Sequence, residues 1–129
     1  MDQETKKFKI LLIDDDNFLL DMYALKFKDT DFVLETALGP DQAVSKLSGG
    51  FSPDFIATDV VMPVMDGFEL IKKIKDENLA PKAKIIVLSN QGQESDLAKG
   101  KELGVSDYII KANLTPSEVV SRIVELTKK

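Results

Sequence analysis

Short apolar runs alternate along this chain with longer segments that have helical spacing. Five mostly apolar runs predict strands at residues 8–13, 32–37, 55–57, 84–89 and 108–111. After each run, apolar residues recur every three or four positions, as on the buried face of a helix. Five strand–helix repeats predict an α/β domain with a five-stranded parallel sheet and helices on both faces.

Capping and breaking residues predict where the helices begin and end. Asp16 and Asn17 predict the start of the first helix, which runs to about residue 27, and Thr115-Pro116-Ser117-Glu118 predicts a capping box for the last. Gly104 is predicted to adopt a left-handed backbone conformation and to end the fourth helix. The side chains expected to face inward are Phe18, Leu19, Met22, Tyr23 and Leu25 in the first helix, and Leu97, Ala98 and Leu103 in the fourth.

Polar side chains end four of the five predicted strands. Asp14 and Asp15 follow the first, Asp59 follows the third, Ser89 ends the fourth and Lys111 ends the fifth. Parallel strands end at one edge of the sheet, so we expect these groups to converge there. Three carboxylates repel one another unless they are protonated or share a cation, and Mg²⁺ prefers oxygen ligands.

A lysine and a hydroxyl beside such a cluster suit an anion with several oxygens. The set therefore predicts a phosphoryl-transfer site with Asp59 as the nucleophile. Each residue alone has a simpler interpretation. Asp14 and Asp15 can be the acidic start of a helix, Asp59 and Ser89 can bond to loop amides, and Lys111 can be a solvated strand end. The prediction depends on their joint occurrence.

Composition narrows the function classes. The chain has 129 residues, of which 43% are hydrophobic and 30% charged, which is typical of a single folded domain. Neither cysteine nor histidine is present, so thiolate zinc sites, histidine ligands and serine–histidine catalysis are excluded within it. A net charge of −5 with scattered basic residues argues against direct nucleic-acid binding. No apolar run is long enough to span a membrane, and we expect a cytoplasmic location.

The motifs together resemble a response-regulator receiver domain, the CheY-like module of two-component signalling, over nearly the whole chain. The resemblance is carried by Asp14-Asp15, the Asp59…Met62-Pro63…Met65-Asp66-Gly67 block, residues 85–89, and Gly104…Asp107-Tyr108…Lys111. It implies a flavodoxin-like (βα)5 fold with strand order 2-1-3-4-5. It also implies a single receiver domain over residues 1–129, with a core at about 8–127 and no output domain.

The resemblance implies a role for each site residue. Asp59 would be the phosphoacceptor. Asp14 and Asp15 would help to hold Mg²⁺, directly or through water, together with Asp59 and the backbone carbonyl of Val61. Lys111 binds the phosphoryl group, while Ser89 and Tyr108 form the switch.

The partners that the resemblance implies are a sensor histidine kinase or a histidine phosphotransfer protein as donor and a downstream effector protein as target. A homodimer on activation is a further option. The protein would catalyse its own phosphorylation and dephosphorylation without being a metabolic enzyme. Two alternatives stay open: a phosphorylation-independent interaction module, and a small phosphatase acting on metabolites.

This chain departs from the family pattern near the site. Ala112 follows Lys111 where the family usually has a proline after a cis peptide bond, so we expect either a cis bond before alanine or a different loop. Asn90 stands where a small residue is common. Val61, Asn90 and Gln91 occupy positions that tune self-dephosphorylation in the family. Because Val61 offers no group to position water, we expect a long-lived phosphoryl group.

Overall fold

The computed structural model describes residues 8–90 and 92–127, and the predicted alternation of strands and helices is confirmed there. The strands are β1 (Phe8–Asp14), β2 (Phe32–Leu38), β3 (Phe55–Asp59), β4 (Lys84–Ser89) and β5 (Asp107–Ile110). The helices are α1 (Asn17–Phe27), α2 (Pro40–Ser48), α3 (Gly67–Asp76), α4 (Glu94–Glu102) and α5 (Pro116–Leu126).

All strand pairs are parallel, and the sheet order is β2-β1-β3-β4-β5, as the resemblance implied. Successive residues of a strand point to opposite faces, and β1 divides its apolar side chains accordingly. Leu11 and Ile13 join the core on the side of α2 and α3, whereas Ile10 and Leu12 join the core under α1 and α5. The sheet is therefore covered on both faces.

Local capping explains why the helices begin where they do. The Asp16 side chain accepts a hydrogen bond from the Leu19 amide at the start of α1. Thr115 and Glu118 form the predicted capping box of α5, with Pro116 at its first position. Gly104, just past α4, has the predicted positive φ of 78°. These predictions are confirmed.

The predicted inward faces of α1 and α4 are partly wrong. Tyr23 is buried as predicted, but Phe18 is 73% exposed and Leu25 is 55% exposed, because α1 faces the core with Leu20 and Phe27 beside Tyr23. Ala98 is also exposed, and Leu97 is 39% exposed. The buried residue of α4 is Gly100, which lets the helix backbone approach Val105 and Tyr108.

No helix among residues 8–90 and 92–127 is both long enough and apolar enough to cross a membrane.

Candidate functional site

The carboxyl edge of the sheet brings the predicted polar residues together. Asp14, Asp59 and Ser89 are the last residues of β1, β3 and β4, and Lys111 follows β5 directly. A cavity of about 350 Å³ opens at this edge. The predicted residues that line it are Asp14, Asp15, Asp59, Val61, Asn90 and Lys111.

Three carboxylates form a cluster that could hold a metal ion. Oxygens of Asp14, Asp15 and Asp59 all lie within 4.8 Å of one another. Asp14 and Asp59 are 2% and 8% exposed, whereas Asp15 is exposed to solvent. An all-oxygen donor set that is partly open to water fits a hard cation that keeps some of its water ligands. Val61 lines the same cavity, with a side chain that is 79% exposed.

Lys111 places its ammonium group beside the carboxylate cluster. Its Nζ lies 3.1 Å from Oδ2 of Asp14, a hydrogen-bonded ion pair, and 3.6 Å from Oδ1 of Asp59. The lysine is itself buried, at 8% exposure. One ammonium beside three carboxylates leaves excess negative charge, so the pocket attracts a cation.

The electrostatics of Asp59 reflect its surroundings. Burial raises the pKa of the Asp59 carboxyl above its usual range; Lys111 opposes this rise, while the Asp14 carboxylate adds to it. The Val60 amide donates a 2.8 Å hydrogen bond to Oδ1 and also favours the charged form. Asp59 is therefore a carboxylate whose charge the fold tolerates poorly without a counter-charge.

Gly67 holds the backbone behind Asp59 in place. Its amide donates a 2.7 Å hydrogen bond to the Val60 carbonyl. A β-carbon at position 67 would collide with the carbonyl oxygen of Asp59. The Asp66-Gly67 pair of the sequence motif thus has a steric reason, since only glycine permits this close approach. Asp66 also caps α3, in a capping box with Glu69.

The loop after β5 shows whether the peptide bond before Ala112 is cis or trans. The described residues contain no cis peptide bond, so Lys111–Ala112 is trans and the loop differs from the family pattern. Lys111 nevertheless reaches both carboxylates. Its amide donates a 2.7 Å hydrogen bond to the Ser89 carbonyl, which ties the start of the loop to the end of β4.

The two predicted switch residues occupy different surroundings. Ser89 is buried, at 5% exposure. Tyr108 packs against the core on the α2 and α3 side, and its hydroxyl is buried without a hydrogen-bond partner in the part of the chain that the structure describes. The exposed Asn90 lines the cavity, while Gln91 lies outside the described residues.

Asp16 and Tyr23 also line the cavity, although neither was among the predicted site residues. Asp16 was assigned only to helix capping, but it lines the cavity and its amide donates a 3.0 Å hydrogen bond to Oδ1 of Asp14. Tyr23 was assigned only to the core, yet it also lines the cavity. Leu19, which also lines the cavity, lies one helical turn before Tyr23 on the same face of α1. This spacing was the sequence signal that could have placed Tyr23 beside the site.

Comparisons with known proteins agree with this geometry. The family model described as response regulator receiver domain matches residues 10–124. The chain is 32% identical to the transcriptional regulatory protein ResD of Bacillus subtilis, over 100% of this chain and 51% of ResD. It is 30% identical to the phosphate regulon transcriptional regulatory protein PhoB of Escherichia coli, over 94% of this chain and 52% of PhoB. The chain thus spans about half the length of these curated relatives.

Solved structures show the same fold. The chemotaxis protein CheY4 of Vibrio cholerae superposes with a TM-score of 0.82 at 25% identity, covering 94% of this chain and 99% of CheY4. With this fold, the acidic cluster at the carboxyl edge of its sheet and the family match over most of its length, the chain belongs to the response regulator receiver domain family of two-component signalling.

Proposed function

We propose that this domain is a phosphorylation-controlled switch that accepts a phosphoryl group on Asp59 in a Mg²⁺-dependent reaction. The donor is a phosphohistidine on a sensor histidine kinase or a histidine phosphotransfer protein, which fits a chain that has no histidine of its own. The observation that carries the proposal is the buried Asp59 carboxylate, set between Lys111 and two further carboxylates.

The transfer needs one free carboxylate oxygen. Oδ1 of Asp59 accepts the Val60 amide and faces Lys111, whereas Oδ2 has no hydrogen bond from residues 8–90 or 92–127. Oδ2 attacks the phosphorus, the bond from phosphorus to the imidazole nitrogen breaks, and the imidazole leaves with a proton from solvent. The product is an acyl phosphate on Asp59. Hydrolysis by water returns the carboxylate and inorganic phosphate.

The residues around Asp59 would bind the cation and the phosphoryl oxygens. Asp14, Asp15 and Asp59, with the Val61 carbonyl, would hold Mg²⁺, which offsets negative charge as the phosphoryl group approaches. Lys111 would bind the phosphoryl oxygens, since its Nζ already lies 3.6 Å from Asp59.

Phosphorylation would bias the surface formed by α4, β5 and α5. The new charge draws the Ser89 hydroxyl toward the phosphoryl group, and Tyr108 repacks in response. Leu97 and Ile110 are 39% and 42% exposed on this side of the domain, which suits contact with an effector protein or with a second copy of this chain. The net charge of −5 favours a protein partner over direct binding of nucleic acid.

Intact mass after incubation with acetyl phosphate and Mg²⁺ tests the proposal. Wild type should gain one phosphoryl group, and the gain should be absent in Asp59→Asn and in wild type with EDTA. Asp21→Asn is the matched control, because Asp21 is an exposed α1 residue outside the cavity. If wild type gains no mass from acetyl phosphate or from a phosphorylated kinase, the domain is instead a phosphorylation-independent interaction module.

The tuning positions predict how long the phosphoryl group lasts. The exposed Val61 side chain has no polar atom to orient an attacking water, so decay should be slow. Radiolabelled phosphoprotein should keep most of its label over minutes, and Val61→Asn should lose it faster. Complete loss from wild type within seconds would refute the assignment.

A further inference from the structure

Tyr23 is a buried phenol beside the acidic cavity. It lies on the inward face of α1 and is 1% exposed. Its ring belongs to the core under α1 and α5, which also contains Leu20 and Phe27. Unlike those two neighbours, Tyr23 also lines the cavity that contains Asp14 and Asp59. Packing accounts for the ring, but it gives no reason for a hydroxyl at this position.

The structure gives the Tyr23 hydroxyl no hydrogen bond to another described residue, but this oxygen is not sealed from solvent as that of Tyr108 is. The ring around it is buried, so the polar partner that a phenol normally has must come from what occupies the cavity. Burial raises the pKa of Tyr23 above its usual range, and the carboxylates of Asp14, Asp59 and Asp16 raise it further. A tyrosine hydroxyl with an ordinary pKa of about 10 already keeps its proton at neutral pH. It can donate one hydrogen bond and accept others.

A hydrated cation in the cavity would supply such a partner. Mg²⁺ keeps several water ligands when carboxylates bind it, and these waters need hydrogen-bond partners in the surrounding protein. The cavity of about 350 Å³ is large enough for several water molecules.

We propose that Tyr23 is a positioning residue for the cation. Its hydroxyl hydrogen-bonds to a water molecule of Mg²⁺ held by Asp14, Asp15 and Asp59, and this contact raises the Mg²⁺ affinity of the site. The inference rests on the cation binding in the proposed function and adds a residue of α1 to that site. Removing such an outer partner lowers metal affinity by about 10- to 100-fold in known metal sites.

Calorimetric titration with MgCl₂ gives the first test. Tyr23→Phe keeps the ring and deletes only the hydroxyl, so the Kd for Mg²⁺ should rise about tenfold. Urea unfolding in EDTA should give Tyr23→Phe the stability of wild type or slightly more, since no protein hydrogen bond is lost. A purely structural hydroxyl would change the unfolding curve and leave the Kd unchanged.

Tyrosine fluorescence gives a second test that does not depend on Tyr23→Phe. The chain has two tyrosines and no tryptophan, so Tyr108→Phe leaves Tyr23 as the only tyrosine. Its emission should change on addition of MgCl₂, with the midpoint that calorimetry gives for the same variant. The double variant Tyr23→Phe/Tyr108→Phe supplies the blank, and its Kd compared with that of Tyr108→Phe isolates the Tyr23 hydroxyl.

Three results would overturn the inference: an unchanged Kd in Tyr23→Phe, emission of Tyr23 that does not respond to MgCl₂, or no Mg²⁺ binding by wild type. If Tyr23→Phe fails to fold, the fluorescence titration of Tyr108→Phe decides alone. A wild-type protein that binds Mg²⁺ but accepts no phosphoryl group would contradict the proposed function and leave the role of Tyr23 standing.

Discussion

Asp59→Asn should make the metal-free domain more stable at neutral pH, even though it removes the proposed phosphoacceptor. The substitution keeps the size of the side chain and an oxygen to accept the Val60 amide, while it removes the charge. Because the pKa of Asp59 is raised in the folded protein, its proton favours folding. The stability that this proton confers is present at low pH and is lost as pH rises through the folded-state pKa.

The distances give the size of the effect. Carboxylate oxygens no more than 4.8 Å apart repel by at least about 3.5 kcal/mol at an effective dielectric constant of about 20, and Asp59 has two such neighbours, Asp14 and Asp15. Lys111, at 3.6 Å, attracts by between about 4 and 5 kcal/mol on the same scale. Asp15 is exposed and therefore screened, whereas the burial of Asp59 adds to the cost of its charge. A gain of about 1–3 kcal/mol follows for Asp59→Asn.

Urea unfolding followed by circular dichroism in EDTA, from acid to neutral pH, measures this difference. The gap between Asp59→Asn and wild type should widen with pH, while Asp21→Asn, which removes an exposed charge, should stay near wild type. Saturating Mg²⁺ should narrow the gap, because wild type gains about 2.7 kcal/mol at a concentration 100 times its Kd and the variant lacks one ligand. An Asp59→Asn protein in EDTA that is no more stable than wild type at neutral pH would refute the reasoning.

Three further substitutions probe the same region. Lys111→Gln removes the ammonium that lies 3.1 Å from Asp14, so calorimetry should show tighter Mg²⁺ binding. Intact mass should show less phosphorylation, and unchanged phosphorylation would contradict the role assigned to Lys111. Tyr108→Phe deletes a buried hydroxyl without a partner among the described residues, so urea unfolding should show a gain of about 1 kcal/mol, and a loss would show that the hydroxyl is bonded in solution. Gly67→Ala forces the backbone away from the Asp59 carbonyl and should cost about 1–3 kcal/mol and slow phosphorylation; wild-type behaviour in both assays would exclude the steric explanation.

The order and type of the elements could be predicted from the sequence because they depend on local patterns. Apolar runs that alternate with segments of helical spacing indicate parallel strands joined by crossover helices. Asp16, Thr115 and Gly104 start or end helices within one or two turns of their own positions. The edge of the sheet that carries Asp14 and Asp59 follows from the same pattern, since parallel strands all end on one side.

The orientation of α1 and α4 could not be predicted in the same way. Helix α1 has more apolar residues than one narrow stripe can bury, whereas α4 has only two apolar side chains, Leu97 and Ala98, so periodicity specifies a single inward face for neither helix. Packing decided between them: α1 lies with Tyr23 inward and Phe18 outward, and α4 approaches the core through Gly100. Contacts between elements distant in sequence select the face, and a local pattern contains no information about them.

The sequence by itself therefore determined which chemical groups reach the carboxyl edge of the sheet. Only the tertiary structure decided how they meet. It sets Lys111 against Asp59 and also against Asp14, which is 97 positions away in the sequence. It also brings Tyr23, which the sequence marks only as a core residue, to the wall of the acidic cavity. Strand direction is a consequence of local pattern, whereas distances between side chains depend on how helices pack on the sheet.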